Sequence, residues 1–453
     1  MAKLTKGFVV AGPASGVGKT TVALALMAAL RKRGLTVQPF KCGPDFIDSG
    51  YHTRVCGRSS RNLDGWMLPA DANREIFYRA AAGADVCVVE GVMGLFDGVN
   101  GGSEAGSTAE IAKWLNLPVF LVVDAASVAR SVAALIHGFE TFDPELRLAG
   151  VIFNKVAGQA HYRLLQDAVV SGCRGALLGY LPRDERIHIP ERYLGLFTAG
   201  EDLLSDSAFA LLGELAESNV NLEELLAAAC SFQLPAMKFS STISNTIRLG
   251  VARDPAFCFY YEDNLDALRT VGAEIVEFSP LEDRCLPAGI DALYFGGGYP
   301  ELFAAQLAAN QEMLASLRTF ASRDLPIYAE CGGLMYLAQE IVSRDGNAFA
   351  MVGVLPLRVQ MTDRLVNFGY TEVSFTADCL VECGGIDQGS VEHVYGLRNS
   401  LTGREQPEGL RVGNVLASYI HLHFLSDPGM AARFVQNVQR TRAELPSRAK
   451  NPC

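Results

Sequence analysis

The decapeptide GPASGVGKTT (Gly12–Thr21) lies between an apolar run, GFVVA, and a segment, TTVALALMAALRKRG, that reads as a helix. A glycine-rich loop that leaves a strand and opens a helix is the setting of a phosphate cradle. Successive backbone N–H groups curl round an anion there, and glycines let the main chain come close to it. Gly12, Ser15, Gly16, Val17 and Gly18 form the expected cradle. Lys19 would neutralise charge on the β- and γ-phosphates of ATP, and the Thr20 hydroxyl, followed by Thr21, would ligate Mg2+. Five residues separate Gly12 from Gly18, one more than the common pattern places before its Gly-Lys pair. The plainer alternative is a strand–helix turn that binds nothing. It leaves the coincidence of strand, GKTT and helix unexplained.

Outward from this loop, short buried strands alternate with longer amphipathic helices. GFVVAG, LTVQPFK, DVCVVEG, LPVFLVVDA and LAGVIFNKV read as strands; ANREIFYRAAAG and SVARSVAALIHGFE read as helices. That alternation predicts a parallel sheet covered on both faces. It weakens at SFQLPAMKFSSTISNT (Ser231–Thr246), a polar stretch with a proline that reads as a linker. A second series then begins: IRLGVARD, GAEIVEFSP, DALYFGGGYPE, LPIYAECGG, FGYTEVSF and NVLASYIHLHF. The expectation is two α/β domains, 1–235 and 246–446, with a frayed C-terminus.

A magnesium ion needs further oxygen ligands. VVEGVMGLFDG places Glu90 at the C-terminal end of a strand, where open α/β sheets build their sites. Asp45 and Asp48 in KCGPDFIDSGYH follow the second strand, and Asp97 follows Glu90. Each of these acids also has a plainer reading as a solvated loop carboxylate or a cap.

In the second half, LPIYAE is a buried strand, Cys331 is its exit, and Gly332–Gly333 lead into LMYLAQEI, read as a helix. This bend resembles a nucleophile elbow, which exposes the sulfur and favours its thiolate. Its own backbone N–H groups, with those of YFGGGYPE (Tyr294–Glu301), would hold an oxyanion. Gly296, Gly297, Gly298 and Gly332 are the glycines concerned. ASYIHLHF offers His421 and His423 as bases; two apart on one strand, they point the same way, and that geometry does not choose between them. The bland reading of Cys331 is a small buried apolar residue.

Composition bounds the partners. With 453 residues, two or three domains are expected. A net charge of −11 and no long basic run argue against nucleic acid. Eleven cysteines without a CxxC pair fit reduced thiols in a cytoplasm, and CLVEC (Cys379, Cys383) is a weak metal signal. Gly12 and Pro13 break the first apolar run before a signal region forms, and no stretch reaches the ~18 apolar residues that span a bilayer. The expected setting is cytoplasmic, with no membrane partner.

Together, GPASGVGKTT, FKCGPDFIDSGYH, SRNLDGWML, VVEGVMGLFDG, IPERYLGL, YFGGGYPE, AECGGLMYL and ASYIHLHF resemble the cobyrinic acid a,c-diamide synthase family over nearly the whole chain. The resemblance implies a P-loop domain of the dethiobiotin-synthetase-like branch joined to a class I, triad-type glutamine amidotransferase domain. It implies ATP and Mg2+ as cofactors, L-glutamine as nitrogen donor and a tetrapyrrole carboxylate as acceptor, with a homodimer left open. By motif, Cys331 would be the glutaminase nucleophile and His421 its base. Lys19, Thr20, Glu90 and Asn154 would serve the nucleotide and metal. Asp45, Asp48 and Asp97 would lie near the phosphates and the tetrapyrrole, Asp45 as a metal ligand and Asp48 and Asp97 as substrate contacts. Triad amidotransferases carry Glu two residues after the histidine. His423 stands there, in keeping with a subfamily that lacks the third member, and this leaves the orientation of His421 unexplained. GGIDQGSVEHVYGLRNS (Gly384–Ser400) matches the family's R-G-H-E-F-H-Y-S stretch poorly, which opens sirohaem, sirohydrochlorin or its nickel form as alternative substrates. The reaction implied is activation of the carboxylate as an acyl phosphate and attack by ammonia that Cys331 has released from glutamine, over a dry passage between domains. A MinD-like switch ATPase would need a further P-loop lysine where Ala14 sits. A tetrapyrrole carrier without activity would leave the P-loop idle.

Overall fold

The computed structural model describes residues 4–187, 205–234, 246–362, 370–375, 392–400 and 402–444, with the backbone pairing of 191–192 and 195–196. The sequence readings of CLVEC, of Gly384–Val391 and of most of the linker and of IPERYLGL lie outside the described residues. The chain forms two compact units, 1–238 and 239–453. Among the described residues no helix is long and apolar enough to cross a membrane.

The first unit is a parallel sheet of β1 (Thr5–Ala11), β2 (Val37–Cys42), β3 (Arg61–Leu63), β4 (Val86–Glu90), β5 (Val119–Asp124), β6 (Leu148–Val156) and β7 (Ala176–Pro182), in the order β3–β2–β4–β1–β5–β6–β7. β8 (Cys230–Phe232) adds an antiparallel pairing to the start of β1. The run Phe8–Ala11 on the central β1 is fully buried, because helices cover both faces and leave no wet side for a polar alternation. The helix Lys19–Lys32 is buried along most of its length and packs beside the helix Asp206–Asn219. Gly213 permits that approach: a Cβ there would stand 3.2 Å from the Ala28 methyl. The strand order reverses at β1, and because the pairing is parallel the carboxyl ends of β1, β2, β4 and β6 lie along one edge of the sheet.

The second unit has β9 (Ile247–Ala252), β10 (Ala273–Phe278), β11 (Ala292–Phe295) and β12 (Ile327–Glu330). A small sheet of β13 (Glu340–Val342), β14 (Ala348–Ala350) and β15 (Arg358–Gln360) follows. The main sheet ends with β16 (Thr371–Phe375), β17 (Glu392–Asn399), β18 (Glu405–Val412) and β19 (Val415–Ser418), in the order β10–β9–β11–β12–β19–β18–β17–β16. Strand alternation divides its side chains between two cores. Leu293, Phe295, Ile327 and Ala329 enter one. Tyr294 and Tyr328 enter the other.

Two elements differ from the sequence reading. The helix after Cys331 covers only Gly332–Leu337; Ala338 is extended, and Ile341 joins β13 instead. The last strand stops at Ser418, because the Ser418 carbonyl accepts the Cys331 N–H at 2.8 Å and Glu408 takes the Tyr419 N–H at 2.7 Å. His421 and His423 are therefore not on a strand.

Candidate active sites

In the first unit Gly16 and Gly18 take left-handed backbone, φ 78° and 89°, and this curls the cradle. Gly18 has a second reason to lack a side chain: its Cβ would lie 2.0 Å from Asn154 Nδ2, which donates to the Val17 carbonyl at 3.0 Å. Asn154 thus braces the loop from β6. Lys19 Nζ donates to the carbonyls of Ala14 (2.9 Å) and Met93 (2.6 Å), so its ammonium lies within the loop. Burial, with Lys41 adding repulsion, lowers its hold on the proton. Ser15 is exposed on the loop, and Thr21 follows Thr20 in the first turn of the helix.

Thr20 Oγ1 lies 2.7 Å from Glu90 Oε1 and 3.3 Å from Asp48 Oδ2. Lys41, at the end of β2, bridges the same two carboxylates at 2.5 and 2.7 Å. His52 Nε2 lies 2.6 Å from Glu90 Oε2, with both side chains fully buried. Burial would push Glu90 up, but Lys41 and His52 outweigh it and hold its carboxyl below the usual carboxylate range. Burial would lower Lys41, but Asp48 and Glu90 outweigh it and hold it well above its usual value. Burial pushes Asp48 well above its usual range against the pull of Lys41. One ammonium lies between two buried acidic side chains, and the hard oxygens around Thr20 are of the kind Mg2+ takes. Among the described residues no trio of His, Cys, Asp and Glu is arranged to hold a metal. A cation here would rely on Thr20 and on phosphate oxygens as well.

The structure separates the aspartates. Asp45, read as a metal ligand, uses Oδ1 to accept the backbone N–H groups of Ile47 (2.9 Å) and Asp48 (3.0 Å), and so caps the helix Ile47–Cys56. Asp48, read as a substrate contact, takes the place beside Thr20 and Glu90 instead. Asp97 accepts the Gly94 N–H at 2.8 Å and shapes the loop whose Leu95 N–H meets the Gly12 carbonyl, also at 2.8 Å. Sequence reasoning missed Lys41 and His52. The signal for Lys41 was a cation one residue from the end of a fully buried strand.

In the second unit Cys331 has φ 49° and ψ −106°, a backbone that L-residues rarely adopt. It turns the sulfur out of the sheet. The Gly297 Cα faces the pair it serves: an added Cβ would lie 2.5 Å from His421 Cε1, 2.9 Å from His421 Nε2 and 3.3 Å from Cys331 Cβ. His421 is thus the histidine beside the thiol. His423 is buried against Tyr261, ring centroids 4.6 Å apart, and its Nδ1 accepts the Leu425 N–H at 3.4 Å. Burial would lower His421, but the neighbouring Cys331 and Glu330 outweigh it and raise the imidazole from 6.5 to about 10. His421 Nδ1 faces Glu330 Oε2 at 3.5 Å, so the histidine that sequence left without an orienting acid has a carboxylate on that side.

The oxyanion donors need correcting. Cys331 N–H is spent on Ser418, Gly296 N–H on the Tyr260 hydroxyl (2.8 Å) and Gly297 N–H on the Phe259 carbonyl (3.1 Å). Gly296 and Gly297 therefore act through their missing side chains. Gly298 N lies 3.1 Å from where a Cβ on Gly332 would stand, which brings those two glycines together at the elbow. Gly297→Ala is expected to lower glutamine hydrolysis by about 10²-fold, since displacing a reacting group by roughly 1 Å has that effect. Ammonia release at saturating glutamine checks this; an unchanged rate would place His421 elsewhere in solution.

A nucleotide-binding P-loop unit and a thiol–imidazole unit on one chain define a glutamine-dependent amidoligase. Residues 8–196 match the model described as CobQ/CobB/MinD/ParA nucleotide binding domain, and residues 248–429 match that described as CobB/CobQ-like glutamine amidotransferase domain. The chain is 42% identical over 458 residues to a cobyrinate a,c-diamide synthase of Salmonella typhimurium, covering 97% of this chain and 100% of that one. It is 41% identical over 450 residues to one of Leptospira interrogans (95% and 98%) and 43% over 449 residues to one of Syntrophotalea carbinolica (94% and 97%). The chain belongs to the cobyrinate a,c-diamide synthase family.

Proposed function

We propose that the chain amidates the a- and c-acetate carboxylates of cobyrinate or hydrogenobyrinate, drawing nitrogen from glutamine and activating each carboxylate as an acyl phosphate with ATP. The observation that carries this reading is the likeness to curated relatives of that name, which runs through both sites over at least 94% of this chain. Residues 1–235 are assigned the activation and 246–446 the glutaminase.

Lys19 and the cradle N–H groups hold the β- and γ-phosphates, and Asn154 keeps the loop in register. Thr20, Asp48 and Glu90 would hold Mg2+, which supplies charge neutralisation to the transferring phosphoryl group. Lys41 and His52 orient Glu90. Asp45 and Asp97 shape the loops round the phosphates and the acceptor carboxylate. Cys331 attacks the glutamine carboxamide with His421 passing its proton to the leaving ammonia. The N–H groups of Gly298 and Gly332 hold the oxyanion, and water then cleaves the thioester. Whether the chain works as a homodimer is tested by its mass in solution.

The test offers purified protein with ATP, Mg2+ and glutamine to cobyrinate, hydrogenobyrinate, sirohydrochlorin, its nickel form and sirohaem, and reads product mass. The expected result is two amides on cobyrinate or hydrogenobyrinate. Turnover of a sirohaem-type substrate alone would overturn the substrate and keep the chemistry. ATP hydrolysis with no amide on any of them would overturn both.

A further inference from the structure

We infer that Glu330 is the positioning acid of the glutaminase: from the residue before the nucleophile, it holds the Nδ1 side of His421 so that Nε2 faces Cys331. The inference rests on the glutaminase reading and adds to it the group that orients the base.

Strand alternation puts Glu330 on the face of β12 that carries Tyr328, opposite the face that carries Ala329. The carboxylate is 1% exposed on its side chain and is held by three donors. Tyr328 OH donates to Oε1 at 2.7 Å, Leu422 N–H to the same oxygen at 3.1 Å, and Tyr294 OH to Oε2 at 3.0 Å. Burial and the Glu330 charge push both phenols well above their usual range, so they remain donors. Oε2, whose donor is Tyr294, also faces His421 Nδ1 at 3.5 Å. The Leu422 bond ties the acid to the residue after His421, so the backbone of the histidine is placed by the same carboxylate as its ring.

The left-handed Cys331 is what makes a one-residue separation work. Neighbours on a regular strand point to opposite faces. The turn at φ 49° redirects the sulfur towards the imidazole that Glu330 reaches from the other side. Acid and nucleophile are then registered by a single peptide bond, and only the histidine arrives by tertiary packing. The position two residues beyond the histidine, which carries Glu in triad amidotransferases, holds His423, engaged with Tyr261 and Leu425.

Glu330→Gln keeps the shape and leaves one acceptor oxygen where the carboxylate has two. Its NH2 then meets either a tyrosine hydroxyl or the imidazole N–H. The groups around the pair are Tyr294, Tyr328, Cys331, and Tyr419 with Glu301 beside the thiol. Against its burial, Cys331 and Glu330 raise His421. Losing the acid removes one of the two groups that raise the imidazole, which weakens the cation that faces the Cys331 sulfur.

The test uses the full chain with three readouts: glutaminase kcat and KM, ammonium-driven amidation, and the pH profile of Cys331 alkylation by iodoacetamide, followed by peptide mass. Expected for Glu330→Gln is a kcat loss of about 10²- to 10⁴-fold, the scale of a wrongly held histidine. The glutamine KM changes little, the alkylation onset moves to higher pH, and ammonium-driven amidation is kept. An unchanged kcat with an unshifted onset overturns the inference. If Glu330→Gln also loses ammonium-driven amidation, Glu330→Asp decides: intermediate kcat and onset support the role, and parental or Gln-like values overturn it. Failure of the glutaminase reading itself would show separately, as parental glutaminase activity in Cys331→Ala.

Discussion

Cys331→Ala is expected to abolish glutamine-dependent amidation, by at least about 10³-fold in kcat, while amidation driven by added ammonium stays within about twofold of the parent. The physical reason is a division of labour. On the proposed reading the sulfur is the atom that bonds to the carboxamide carbon, and alanine offers nothing in its place. The fold has little stake in it: Cys331 is a partly exposed thiol at a bend, and its backbone bonds, N–H to Ser418 and carbonyl to Met335, survive the substitution. The left-handed backbone is as strained for alanine as for cysteine, so the elbow itself is not relieved. Parallel assays with glutamine and with ammonium check the outcome. Loss of both activities would make the thiol structural, and retention of both would move the nucleophile elsewhere.

Lys19→Ala is expected to stop amidation from either nitrogen source, by about 10²- to 10³-fold, the scale of removing one charged group that stabilises a transferring anion. Its ammonium lies inside the loop, bonded to the Ala14 and Met93 carbonyls, and a phosphate entering the cradle meets it there. Activation comes before nitrogen attack, so supplying ammonium cannot bypass the loss. Glutamine hydrolysis, measured alone, is expected to persist. Ammonium-driven turnover at the parental rate would contradict the order of steps. The two variants therefore give opposite patterns, one rescued by ammonium and the other not.

Much of the site was legible locally. The strand–glycine–helix spacing marked Lys19 and Thr20, and the strand–Cys–Gly–Gly bend marked Cys331. A strand-end position singled out Glu90, closing VCVVE. The same reasoning applied to IYAE would have found Glu330, and applied to VQPFKC it would have found Lys41. Glu330 closes its buried run and Lys41 stands one residue from the end of its own, each a charge that has no reason to be there unless a partner meets it. Asp45 and Asp48 were harder. Three residues apart, they differ only in that Asp45 Oδ1 turns back to cap the helix that carries Asp48. The two histidines were equivalent by strand alternation, and only the resemblance to the family motif pointed to His421. They differ once the chain leaves the sheet at Ser418.

Two α/β units, the cradle lysine and threonine, and the thiol at its strand–helix bend are legible in the chain alone, because each depends on residues within a few positions of one another and on the period of one strand or helix. Which carboxylate meets which cation was decided by strand order. β2, β4 and β1 lie side by side, and only that adjacency brings Lys41, Glu90 and Thr20 together. Which histidine meets the thiol was decided by the end of β19 at Ser418 and by the space that Gly297 leaves beside Cys331. Contacts of this kind join residues distant in sequence through packing, and no local period encodes them.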